Sequence, residues 1–198
     1  MIVATHMLES MIENPLPTRA EVTDVANAVF ESADAIMLSG ETTVGKYPVR
    51  CIEVFDRIAR RIERSGGANF QEGARLTTPR QKLVKSGVVM ANELRAEAIL
   101  VFTMRGHMAR YTAWMRPHHS PVHAVCPNRK VAGSLSMNWG VVPLIIDFDQ
   151  TDPERTIDDA LHALIGMGVL SKGNTVVIIG AITSGEQIVD AVQMRVVN

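Results

Sequence analysis

The sequence predicts an α/β protein: a three-layer α/β/α domain with a mostly parallel sheet of about five strands, preceded by a shorter piece that cannot close a core alone. Two observations predict this. From residue 79 onward, apolar strand patterns and helical patterns alternate. The first 65 residues supply only strand, helix, strand and helix.

The chain opens with an apolar strand at residues 2–5 and a loop carrying Pro15 and Pro17. Thr18 and Glu21 form a T-x-x-E capping box, so a helix starts there. Its predicted apolar stripe is Val22, Val25, Ala26, Val29 and Phe30. A strand at residues 35–38 and a loop at 39–47 follow. Pro48 then suits the first position of a second helix. That helix is expected to bury Ile52, Phe55, Ile58 and Ile62 and to pair Glu53 with Arg57 and Asp56 with Arg60 outside. Ser65-Gly66-Gly67 ends it.

Residues 66–78 have weak periodicity and read as a linker, which divides the chain into 1–66 and 67–198. Thr78-Pro79 opens a helix to about residue 94. Strands are predicted at 98–103, 122–126, 141–147 and 175–180, with helices at 107–115, 128–139 and 153–170 between them. Helical crossovers make those strands parallel. The last strand, 191–197, follows too short a connection for a crossover and is expected to be an antiparallel edge. The first part lacks the eight strand–helix units, about 250 residues, of a closed (β/α)8 barrel. It reads as the end of something larger, with unpaired strand edges and helix faces that need a second copy of the chain or stay poorly ordered.

Composition narrows the functional classes. The net charge of −1, with no dense basic run, gives no support to nucleic-acid binding. No apolar stretch approaches the roughly 18–20 residues that span a bilayer. Cys51 and Cys126, far apart and without a CxxC, read as reduced buried thiols of a cytoplasmic protein. The six histidines show no metal-binding spacing, so no protein metal site is expected from them.

Two stretches, ATHMLESMIENPLPTRAEVTDVANAV at 4–29 and DAIMLSGETTVGKYPV at 34–49, closely resemble pyruvate kinase. The resemblance identifies them with the seventh and eighth units of that family's catalytic barrel. Residues 67–198 resemble its C-terminal domain more loosely, through Thr103–Gly106, Arg116-Pro117 and Lys172-Gly173. The implied parent enzyme transfers phosphate from phosphoenolpyruvate to ADP, giving pyruvate and ATP, with Mg²⁺ and K⁺. The family's phosphate-binding lysine, metal carboxylates and K⁺ ligands come from earlier barrel units. This chain alone is therefore expected to be inactive. A homo-oligomer and a phosphorylated effector are further implied. The alternative is a free-standing, non-catalytic module that binds a phosphate or nucleotide.

The resemblance places Thr5 and Ser39 at the mouth of the catalytic barrel; the residues themselves leave open a strand-end hydroxyl and a closing turn. His6 stands where many members carry Gln. Arg19 and Glu21 read as a solvated residue and a capping residue. The loop with Thr103, Arg105, Gly106 and His107 follows a strand and opens a helix, a place where N–H groups can hold an anion. The family binds an effector phosphate there; the residues alone fit a plain turn equally well. Met108 and Met167 replace a hydroxyl and an arginine of sugar-bisphosphate-activated members, and residues 180–187 correspond to the loop that closes over the effector.

Overall fold

The side chains of Thr18, Thr78, Asn128 and Asp152 cap four of the helices, and a proline follows Thr78 and Asp152. A computed structural model describes residues 1–4, 6–149, 151–184 and 187–198, with the backbone alone for 181–184, 187 and 188. These residues fall into two units, Met1–Gly73 and Ala74–Asn198.

In the first unit, β1 (Ile2–Val3) pairs in parallel with β2 (Ala35–Ile36), Ile2 opposite Ala35. Helix α1 (Arg19–Phe30) carries the expected box: the Thr18 hydroxyl accepts from the Glu21 N–H and the Glu21 carboxylate accepts from the Thr18 N–H. Its buried positions are Val25 and Ala28, while Val22 and Phe30 are exposed, so the predicted stripe was too wide. The loop expected at 39–47 contains a single helical turn, α2 (Gly40–Thr43). Here the Ser39 carbonyl accepts from the Thr42 and Thr43 N–H groups. Helix α3 (Pro48–Glu63) begins at its proline and buries Cys51, Val54 and Phe55. The expected burial of Ile52 is corrected, for it is exposed. Asp56 pairs with Arg60 as expected, but Glu53 pairs with Arg50 instead of Arg57. The expectation that this part cannot enclose a core is also corrected. Met7, Leu8, Met11, Val25, Ala28, Cys51, Val54 and Phe55 form one buried cluster.

The second unit holds a five-stranded sheet. Its helices are α4 (Pro79–Leu94), α5 (His107–Trp114), α6 (Arg129–Leu135) and α7 (Pro153–Gly166). Its strands are β3 (Ala98–Phe102), β4 (Val122–Cys126), β5 (Val141–Ile145), β6 (Thr175–Ser184) and β7 (Gln187–Val196), in the order β5-β4-β3-β6-β7. Four strands are parallel, and β7 runs antiparallel to β6 at the edge.

Ala98, Ile99, Leu100 and Val101 are fully buried because both faces of β3 are covered. Ile99 and Val101 meet α4 and α5; Ala98 and Leu100 meet Ile157, Ala160 and Leu164 of α7. That is the three-layer arrangement. Gly87 lets α4 approach the sheet closely, since a Cβ there would stand 2.7 Å from Ile179 Cδ1. Asn128 and Asp152 cap α6 and α7 by accepting from N–H groups of the first turn. Both helices are shorter than predicted. Ser136 turns its hydroxyl onto the Ala132 carbonyl beyond α6, and Gly168 adopts φ +71° after α7.

The largest difference lies at the end of the chain. Residues 180–187 were expected to form a loop, yet β6 runs to Ser184 and β7 begins at Gln187. The antiparallel ladder runs on past Gly180, with Ile182 opposite Val189 and Thr183 opposite Ile188. Gly185 and Glu186 lie outside the described residues.

His123 is buried on β4, opposite Leu100, with no hydrogen-bond partner for either ring nitrogen among the described residues. Burial pushes its pKa below the ordinary histidine value of 6.5. The unfolded chain then takes up a proton before the folded chain does. Stability is therefore complete above pH 6.5 and falls as the pH drops toward the lowered value, by at most about 1.4 kcal/mol per pH unit for one proton. Urea unfolding at several pH values between 8 and 5.5 should show that slope, and His123→Leu should flatten it. Equal slopes for the two proteins would sink the assignment.

Candidate functional site

Parallel strands end in backbone groups that no neighbouring strand can satisfy, and the loops after them must supply partners. In the first unit the partners are two carboxylates. Glu41 on α2 is only 3% exposed. Its Oε1 accepts from the Leu8 N–H at 3.1 Å and its Oε2 from the Ser39 N–H at 2.8 Å. The first amide belongs to the loop after β1, the second to the loop after β2. Burial pushes the Glu41 carboxyl up, but the N–H groups of Ser39, Glu41 itself and Leu8 outweigh it and hold it below the ordinary range. Glu21 does more than cap α1. It also accepts from the Ser10 N–H at 2.7 Å and the Ser10 hydroxyl at 2.5 Å. Burial raises the Glu21 carboxyl; the bonds from Ser10 and Thr18 prevail and lower it.

Ser39 is exposed beside Glu41. Thr5 lies outside the described residues. His6 adopts φ +52° and bonds Glu9 at 2.7 Å through Nδ1. Arg19 is exposed. The role of Glu41 was missed from the sequence, although an acidic residue directly after Ser39-Gly40 at a strand end was the available signal.

In the second unit, Thr103 and Gly106 are buried while Arg105 and His107 are exposed. The Thr103 hydroxyl accepts from the Gly106 N–H at 3.0 Å and closes the loop on itself. Gly106 sits at the start of α5 with φ +86°, a conformation that favours glycine. A Cβ there would also press on Leu135 Cδ2 at 3.2 Å. The Gly106 N–H is thus occupied, and an anion would meet the N–H groups of α5 beyond it. Met108 is buried in the core, whereas Met167 is exposed after α7. Arg110 was also missed. Its Cζ lies within 3.9 Å of the Cβ position of Gly106, and its Nη2 donates to Ser134 Oγ at 3.2 Å. Its place one helical turn after Gly106 was the signal.

Among the described residues, no group of three or more His, Cys, Asp or Glu could hold a metal ion, and no helix is long and apolar enough to cross a membrane. Cys51 and Cys126 are both buried free thiols.

Comparison with known proteins matches residues 1–52 to the family model "Pyruvate kinase, barrel domain" and residues 81–194 to "Pyruvate kinase, alpha/beta domain". A pyruvate kinase of Clostridium acetobutylicum is 41% identical over 187 residues, covering 90% of this chain and 38% of the relative. Pyruvate kinase isozyme G, chloroplastic, of Ricinus communis is 40% identical over 90% of this chain and 43% of its own. Pyruvate kinase 2 of Synechocystis sp. is 37% identical over 93% of this chain and 31% of its own. The chain thus spans 31 to 43% of the length of these three relatives.

Replacing Thr103 with Val keeps its shape but removes the acceptor for the buried Gly106 N–H. An unsatisfied buried donor costs about 1–3 kcal/mol. Urea denaturation of Thr103→Val should show that loss, and an unchanged midpoint would show that the hydroxyl does not close the loop.

Proposed function

The chain belongs to the pyruvate kinase family, and on that premise we propose that it supplies part of a cytoplasmic enzyme transferring phosphate from phosphoenolpyruvate to ADP. The observation that carries this reading is the match to both family models in their order along one chain. Residues 1–66 are read as the end of the catalytic barrel and residues 67–198 as the C-terminal α/β domain. In the parent enzyme Thr5 and Ser39 stand at the mouth of the active site.

Mg²⁺ and K⁺ neutralise phosphate charge in such a reaction. The described residues of this chain do not fit them, because no acidic or histidine cluster is present and Glu41 and Glu21 are engaged by backbone and hydroxyl groups. No step of the chemistry is assigned to groups of this chain for that reason. In a coupled assay with Mg²⁺, K⁺, ADP and phosphoenolpyruvate, the 21.7 kDa chain should read at background. Turnover that co-purifies with it would defeat the claim of inactivity.

A homo-oligomer of the parent is supported by a groove of about 810 Å³ lined by α4 and Met194, beside the open edge of β7. Exposed Val89, Leu94, Met194 and Val196 give this side an apolar character. Sedimentation equilibrium reads that association directly.

We assign effector binding, with Thr103, Arg105, Gly106 and His107, to a monophosphate rather than a sugar bisphosphate. Each bound phosphate needs charge-assisted donors. The α5 amino end with Arg105, His107 and Arg110 can serve one phosphate; Met167 supplies neither a charge nor a donor for a second. Charge-assisted bonds contribute roughly 1.5–3 kcal/mol each, so two absent ones weaken a bisphosphate about a hundredfold or more. Isothermal titration should find a nucleotide or pentose monophosphate binding at least as tightly as fructose 1,6-bisphosphate. Micromolar bisphosphate binding, lost in the Arg105→Ala/His107→Ala variant, would overturn the assignment. If the chain is instead a free-standing binding module, the same titration would give binding while no parent activity is found.

A further inference from the structure

A carboxylate that is nearly inaccessible to water, and whose hydrogen-bond partners are amides rather than a cation, has been desolvated for a purpose that packing alone does not explain. Glu41 is such a group. Its two oxygens are divided between one amide 33 residues before it in the chain and one two residues before it. One oxygen reaches back to Leu8, in the loop that follows β1. The other holds Ser39, at the start of the turn that follows β2. The two strands pair over only two residues each, Ile2 with Ala35 and Val3 with Ile36, so the sheet gives their loops little mutual support. Leu8 and Met11, which flank this contact, are fully buried.

We propose that the ionised carboxylate of Glu41 is a positioning group that fastens the loop after β1 to the loop after β2, holding Ser39 in one arrangement relative to Leu8. The fastening stands on geometry. Only its link to catalysis, through Ser39 at the active-site mouth, rests on the proposed function.

Ionisation matters because a protonated carboxyl keeps one oxygen as a donor and would present it to an N–H that needs an acceptor. The titratable groups beside Glu41 are Glu21 on α1 and Cys51 on α3. Glu21 repels its charge, while the Cys51 thiol is raised first by its own burial and then by the charge of Glu41. The Cys51 Sγ also reaches the Glu41 carbonyl at 3.6 Å and the Met11 carbonyl at 3.9 Å, so α3 braces the backbone of the residue whose side chain spans the loops. The carboxyl lies below the ordinary value of 4.5. The contact is therefore complete above pH 4.5 and is released as the pH falls through the lowered value.

The test compares Glu41→Gln with the native chain by amide hydrogen exchange at pH 7. Glutamine keeps the size of the side chain but has a single acceptor oxygen and no charge. Exchange protection at Leu8, Ser39 or both should fall at least tenfold, while amides within α1 and α3 keep theirs. Unchanged protection at both positions overturns the proposal. If the variant loses protection throughout α1 and α3, the native chain decides the matter by NMR. There the amide proton shifts of Leu8 and Ser39 should follow the Glu41 side-chain carboxyl through one common midpoint below 4.5. Amide shifts that do not follow it, or a midpoint above that value, overturn the proposal. Neither readout depends on phosphate transfer, so an inactive chain leaves this result intact and a failed fastening leaves the family assignment intact.

Discussion

The termini of parallel strands impose the constraint on which both units depend. A parallel ladder satisfies amides along its length, but at its carboxyl end the N–H groups turn into a loop and must find acceptors elsewhere. The second unit meets this need locally. The Thr103 hydroxyl takes the Gly106 N–H three residues on, within a single loop. The first unit meets it at long range, with Glu41 and Glu21 reaching across 33 and 11 residues to Leu8 and Ser10. Neutral local bonds and charged distant ones lead to different physics. A typical neutral bond contributes about 1 kcal/mol and a bond to a charged group about 1.5–3 kcal/mol, and only the charged set responds to pH.

The same contrast orders the two cores. β3 is buried on both faces and paired on both edges, so its residues have no freedom to point toward water. An imidazole placed on the neighbouring strand, His123, is consequently buried without a hydrogen-bond partner among the described residues, and burial lowers its pKa. In the first unit the strands are too short to bury anything by themselves. The cluster around Leu8, Met11, Val25 and Cys51 is assembled from a loop, a 3₁₀ turn at Glu9–Ile12 and two helices. Carboxylates that tie loop to helix stand there where strand pairing stands in the larger unit.

What could be read from the sequence followed from how local each signal is. Capping residues sit within three positions of the amides they serve, so Thr18 with Glu21, Asn128 and Asp152 placed helix starts correctly. The run of apolar residues in β3 and β4 likewise announced strands covered on both faces. Helix faces were harder, because Val22, Phe30 and Ile52 satisfy a helical stripe without being buried. Periodicity says which residues share a side but not how much of that side is covered. The reach of Glu41 to Leu8 left no mark in spacing at all, and the hairpin of β6 and β7 was cut short by assigning residues 180–187 to a loop that closes over an effector. Glycine in a strand marks a close approach as readily as an end; a Cβ at Gly180 would meet Phe102 Cβ at 3.0 Å.

The uncovered faces in the first unit bear on the proposed function. Val22 and Phe30 on α1, and Val49 and Ile52 on α3, remain exposed although the unit has a core. In a closed barrel each helix packs both on its own strand and on the helices either side. The residues that face the strand layer would then be buried first, and those facing neighbouring helices would await them. Val25, Val54 and Phe55 are buried here while Val22, Phe30, Val49 and Ile52 are not, which is the division that two adjoining units of a larger barrel would show. Scattered apolar residues on a surface are ordinary. Four of them on α1 and α3, beside carboxylates that keep the strand-end loops fixed, support reading the segment as part of a larger barrel rather than as a domain that ends with its own core.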